Sequence, residues 1–195
     1  MARISGVQSV HIAQITTLGD TLDTTEFGEV IKLPQFISWT STANRADAAW
    51  YSEDSTEETF SQITDYELEF VVGNLSLEHR ALISGGTLVP LQADIPAHVV
   101  YKKDDTQPEF AVIVKFSQQG NGKTGTVCQV YYRTKLNATS VEAETKTDSV
   151  TDSPFTITGK GIPLPDQTIM AQVDSYDAAT SAVVSAWTTK PYGSL

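Results

Sequence analysis

Apolar and polar residues alternate along most of this chain, and they do so at period two far more often than at helical spacing, which predicts strands. A first strand is expected from about Val7 to Ile15, with Val10 and Ile12 on one face and His11 and Ala13 on the other. After a turn-rich stretch from Leu18 to Gly28, a second extended run spans Glu29–Thr42. Pro34, which has no amide to donate, marks a bulge or edge within it, and Ala48–Tyr51 extends it. Gln62–Val72 alternates cleanly, Tyr66, Leu68, Phe70 and Val72 against Asp65, Glu67 and Glu69, so one face is buried and the other charged. A single convincing helix is predicted over about Ser76–Ser84: Ser76 caps it, Glu78 complements its positive end, Gly85-Gly86 stops it, and Leu77, Ala81 and Leu82 are its packing residues. Further on, Phe110, Val112, Val114 and Phe116 alternate up to Gly120-Asn121-Gly122, which leads into Thr126–Thr134 as a hairpin, both arms being central strands. Two more extended runs, about Phe155–Ile162 and Thr168–Asp174, precede an alanine-rich tail, Ala178–Trp187, expected to form a short helix capped by Asp177. No repeat and no low-complexity linker divides the chain, so the expectation is one domain over residues 1–195, mainly β, a sandwich of two packed antiparallel sheets flanked by one short α-helix.

Composition narrows the function. Lys and Arg total 13 against 24 Asp and Glu, a net charge of −11 that repels duplex DNA and argues against a general nucleic-acid binder. Hydrophobic residues make up 40%, enough for a core without staples, and the lone Cys128 has no partner in the chain. No apolar run reaches the roughly 20 residues needed to span a bilayer. The first residues also lack a basic start and an apolar core of the signal-peptide kind, so synthesis in a cytoplasm without membrane insertion is expected.

Candidate chemistry is sparse. Gly122-Lys123-Thr124 invites a phosphate-loop reading, but Ser117 stands where that motif needs its leading glycine, and a hairpin turn explains the glycines better. His11, His79 and His98 fall on separate elements, and no nucleophile elbow, Cys-His pair or dinucleotide fingerprint is present. No enzyme, metal site or cofactor is therefore expected. Charge is more informative: between Arg45 and Arg80 stand Asp47, Glu53, Asp54, Glu57, Glu58, Asp65, Glu67, Glu69 and Glu78, with no base among them. A solvated loop plus the wet face of a strand explains this blandly. A repulsive surface explains it more sharply, since carboxylates on alternate residues repel and nothing nearby in sequence neutralises them. The pairs Glu53-Asp54 and Glu57-Glu58 lack the ligand spacing of a calcium loop.

Several strings, in order, resemble the major tail protein family of bacteriophages with long, flexible, non-contractile tails. They are Gly6-Val7-Gln8-Ser9-Val10-His11-Ile12-Ala13; Gly28-Glu29-Val30-Ile31-Lys32-Leu33-Pro34; Trp50-Tyr51-Ser52-Glu53-Asp54; Glu67-Leu68-Glu69-Phe70 followed by Leu75-Ser76-Leu77-Glu78; Thr145-Lys146-Thr147-Asp148-Ser149; Thr156-Ile157-Thr158-Gly159; and Ala186-Trp187. The likeness covers nearly the whole chain.

It implies a structural virion protein: hexameric rings stacked into the hollow tail tube through which DNA is delivered. Asp65, Glu67 and Glu69 would face the lumen, keeping DNA from sticking without binding it. The segment about 45–59, with Glu53, Asp54, Glu57 and Glu58, would be an inter-ring contact loop. Residues about 1–6 and 176–195 would form N- and C-terminal arms. Implied partners are further copies of the chain and other tail proteins, namely tape measure, tail terminator and distal tail protein. The alternative is a non-enzymatic adhesion or carbohydrate-binding β-sandwich, in which Trp39, Trp50, Tyr131, Tyr132 and Trp187 line a sugar groove.

Overall fold

A computed structural model describes residues 3–52, 55–92, 95–120, 123–141, 154–175, 184 and 186–191. Its elements run β1 (Arg3–Thr17), β2 (Glu26–Lys32), β3 (Phe36–Ser52), β4 (Ser55–Val72), α1 (Leu77–Ser84), β5 (Thr87–Val89), β6 (His98–Val100), β7 (Glu109–Gly120), β8 (Lys123–Val141), β9 (Phe155–Gly161) and β10 (Met170–Asp174). The protein is mainly β, sandwich-like and flanked by one short helix, as the alternation predicts.

The layering has a specific origin. All the long strands belong to one antiparallel sheet, ordered β2-β1-β7-β8-β9-β4-β3, with β10 also on β8. Strand β8 is long enough to serve two layers: along one edge it pairs β10 over Val127–Tyr131 and β9 over Thr134–Val141. The sheet forks there. Tyr132 N–H donates to Ile169 O (3.1 Å) and Ile162 N–H to Arg133 O (2.8 Å), so β9 and β10 read as one strand interrupted by residues 162–169. Folding at the fork sets the β9-β4-β3 layer against β1-β7. Between them lies a core built from Val10, Ile12, Leu68, Phe70, Val112, Val114, Tyr131, Leu136 and Ile157, all essentially inaccessible to solvent. Trp39, at 5.8 Å, and Tyr66, at 5.3 Å between ring centroids, close over Tyr131 from the opposite layer.

The outer face of β7 and β8 is covered as well. Ile113, Val130, Tyr132 and Leu164 form a second cluster, against which Leu22, Phe27, Val30, Ala171 and Trp187 pack. Residues 110–114 are consequently buried on both faces, the pattern of a central strand.

Four expectations change. The run Glu29–Thr42 is two strands: the chain crosses between layers at 33–35, where Pro34 cannot pair, Leu33 plunges into the core and Gln35 takes a left-handed φ of 47°. Residues 3–6, expected in an N-terminal arm of about 1–6, extend β1 and pair with β7, Arg3 opposite Gln119, because β7 runs on to Gly120 and offers an open edge. Of the proposed C-terminal arm, 176–183, 185 and 192–195 lie outside the described residues, whereas Val184 is fully buried, Trp187 packs on the second cluster, and the Cys128 thiol donates to Val184 O at 3.5 Å. That part packs against the second cluster through Trp187. The helix is where it was expected, with Ser76 Oγ accepting from His79 N–H (3.2 Å) and Gly85 at φ 73°. Its packing residues differ: Ala81 is buried and Leu82 partly so, but Leu77 is exposed and Ile83, one position further round, fills the core. The small two-stranded sheet β5–β6 was not foreseen.

Candidate functional site: a charged face and a projecting hairpin

Strand β4 carries the predicted carboxylates as its alternation requires. Leu68 and Phe70 are buried, while Glu67 and Glu69 are exposed on the opposite face with Asp65 half-covered beside them. The sheet then supplies what sequence distance concealed. Glu67 stands opposite Thr42 on β3 and Lys160 on β9, Lys160 opposite Lys135 on β8, and Lys135 opposite Glu109 on β7. Basic side chains from β8 and β9 are thus inserted among acids from β4 and β7. Lys160 Nζ lies 3.2 Å from Asp65 Oδ2, and Lys135 Nζ 3.6 Å from Glu109 Oε1. Arg133 forks onto both oxygens of Glu109, donating at 2.6 and 3.0 Å. Asn44 Nδ2 donates to Asp65 Oδ1 (2.7 Å) and Glu67 Oε1 (3.2 Å).

These partners set the protonation chemistry. The Asn44 amide, aided by Lys160, holds the Asp65 carboxyl below the usual range. Arg133, and then Lys135, do the same for Glu109 against the opposing cost of burial. The face is therefore a mixed one with an acidic excess along β4, and the reading of an unneutralised run is corrected for Asp65. Thr40, Thr42, Glu67, Glu69, Thr158 and Gly159 line a shallow hollow of 220 Å³ on it. Gly159 is needed from the other side: a Cβ there would sit 2.7 Å from Leu136 Cδ2 and 3.0 Å from Thr134 Cγ2.

The segment read as a loop, about 45–59, is instead the outer half of a hairpin. β3 and β4 pair from Phe36↔Val72 out to Ser52↔Ser55, yet β9 pairs β4 only over Tyr66–Val72. From Arg45↔Ile63 outward the two strands form a ribbon with no third strand among the described residues. Arg45, Ala46, Asp47, Ser61 and Gln62 are exposed, so the inner part of the ribbon has no buried face to betray a strand in the sequence. Glu57 and Glu58 lie on β4, Glu58 opposite Trp50; Glu53 and Asp54 lie outside the described residues.

The remaining candidates are not brought together. Lys123 and Thr124 open strand β8, not a helix, which removes the phosphate-loop reading. His98 Nδ1 contacts Pro96 O at 2.9 Å, His79 sits on α1 and His11 on β1. Among the described residues no three of His, Cys, Asp and Glu are grouped as metal ligands. Burial raises the Cys128 thiol to about 11, the opposite of a poised nucleophile. Tyr131 and Tyr132 are buried, Trp39 stacks on Phe70 at 5.7 Å, and Trp187 packs inward, so these aromatics line no sugar groove; the Trp50 side chain lies outside the described residues. No helix among the described residues is long and apolar enough to cross a membrane. Sequence reasoning missed Asn44, Glu109, Arg133, Lys135 and Lys160, which no local motif connects and only the register assembles. No protein-family model matches this chain, and no curated protein does.

Proposed function

We propose that this chain is the major tail protein of a bacteriophage with a long non-contractile tail, a non-enzymatic virion subunit whose hexameric rings stack into a hollow tube for DNA delivery. One observation carries the reading: among the described residues, the ribbon beyond Arg45 and Ile63 pairs only with itself. A lone two-stranded ribbon is marginally stable in water, so keeping one whose inner residues Arg45, Ala46, Asp47, Ser61 and Gln62 are exposed makes sense if it is completed by another subunit. In the tube it would contact the next ring, Glu53, Asp54, Glu57 and Glu58 lying in the contact. Glu67 and Glu69, with Asp65 beside them, would face the lumen, where sixfold repetition of an acidic strand keeps DNA from adhering as it slides. The resemblance names the other partners, the tape measure, tail terminator and distal tail proteins, and the virion as location.

Negative-stain microscopy of the purified full-length chain tests this directly. Rings of uniform diameter or hollow tubes are expected; compact single particles at every concentration and temperature tried would overturn the assignment.

A further inference from the structure

We propose that Lys32, Lys115 and His11 form a carboxylate-receiving surface, and that its occupant is the acidic hairpin tip of a second copy of this chain. The inference rests on the tube reading and deepens it by naming what the hairpin docks onto.

Register creates the surface. Val10 and Ile12 of β1 point into the core, so Ser9 and His11 point outward; His11 pairs across to Lys32 on β2, and Ser9 pairs across to Lys115 on β7. Neither lysine forms an ion pair among the described residues, whose salt bridges join Arg133 and Lys135 to Glu109 and Lys160 to Asp65. In a chain of net charge −11, two lysines flanking one strand with neither in a salt bridge among the described residues are unusual. The surface is unfinished in another respect: His11 Nδ1 is buried with no hydrogen-bond partner in the subunit. Burial and the two lysine charges hold the imidazole below its ordinary value, as expected for a site short of negative charge. Beside it opens a groove of 390 Å³ lined by Gln8, Ser9, Lys32 and the crossover residues Leu33, Pro34, Gln35 and Phe36.

The occupant follows from charge and from distance. Residues 47–58 carry five carboxylates and no base. The groove includes Phe36, the first residue of β3, while the tip follows Ser52, its last. At about 3.4 Å per residue the two ends of that strand stand roughly 50 Å apart, so a subunit cannot insert its own tip. Donor and receptor at opposite ends of one strand make a heterologous, head-to-tail contact, the kind that propagates along an axis.

Two measurements decide it. Lys32→Glu with Lys115→Glu is compared with Lys102→Glu plus Lys103→Glu, which changes exposed lysines elsewhere and has the same net charge, so general repulsion cancels. The first pair is expected to raise the concentration needed for polymerisation about tenfold or more relative to the second, and adding Glu53→Lys and Glu57→Lys to it should restore assembly. Equal assembly of the two double variants overturns the proposal. Independently, zero-length carbodiimide cross-linking of a 1:1 mixture of 14N- and 15N-labelled wild-type chain should join Lys32 or Lys115 to residues 47–58 between isotopes. Tubes without those links refute the receptor and leave the tube reading standing; links in an assembly that is not a tube refute the tube reading and leave the receptor.

Discussion

Replacing residues 47–61 by Asn-Gly, a two-residue turn suited to closing the pair Ala46↔Gln62, separates the role of the hairpin from the stability of the subunit. The excised ribbon reaches about 20 Å beyond Ala46 at 3.4 Å per residue. Its inner end, Asp47 and Ser61, is exposed, and no third strand pairs with it among the described residues. Its removal takes away no pairing with a third strand among the described residues, and by the usual scale for surface changes the monomer should shift by no more than about 0.5 kcal/mol. For a chain of this size that is a Tm change of about 2 °C or less. On the proposed function, assembly should respond quite differently, because the truncated subunit would no longer span to a neighbour. Circular dichroism melting and light scattering, followed by negative-stain microscopy, read both quantities on the same sample. Tubes of normal yield would refute the hairpin's role in assembly. A fall in Tm of more than about 8 °C, equivalent to at least 2 kcal/mol, would show that the ribbon is part of the fold it was taken to leave untouched.

The lumen assignment predicts that Glu67→Gln with Glu69→Gln leaves tubes intact but increases retention of labelled duplex DNA at low salt in a co-sedimentation assay. Unchanged retention, or an assembled structure with Asp65, Glu67 and Glu69 on the outer wall, would refute it. Gly159→Ala forces a methyl against Leu136 and Thr134, so it should cost about 1–3 kcal/mol and lower Tm by about 2–10 °C by calorimetry; an unchanged Tm would show that the two side chains yield freely. Glu109 titrates below its ordinary value of 4.5 in the fold, so its contribution is fully present above that value and is lost as pH falls through the depressed one. Glu109→Gln should accordingly cost about 1–2 kcal/mol at pH 7 and flatten the decline of Tm between about pH 5 and pH 3; parallel Tm profiles for the two chains would deny the Arg133 fork any energetic role.

Alternation alone determined much of this protein. Val10 and Ile12, Leu68 and Phe70, and Val112 and Val114 occupy the core because a strand sends successive side chains to opposite faces, a rule that needs no partner strand. The helix limits were equally local, written in the Ser76 cap and the Gly85 stop. Period two fails where neither face is buried, as at residues 45–47 and 61–62, where the hairpin reads as a loop, and a helix of eight residues leaves its buried side ambiguous between Leu77 and Ile83. What only tertiary structure decided is the company each strand keeps. The fork of β8, the intrusion of Lys160 and Lys135 into the acidic face, and the unpaired lysines around His11 depend on registers between residues far apart in the chain. Register is set by the simultaneous burial of many side chains, and no short window of sequence contains that information.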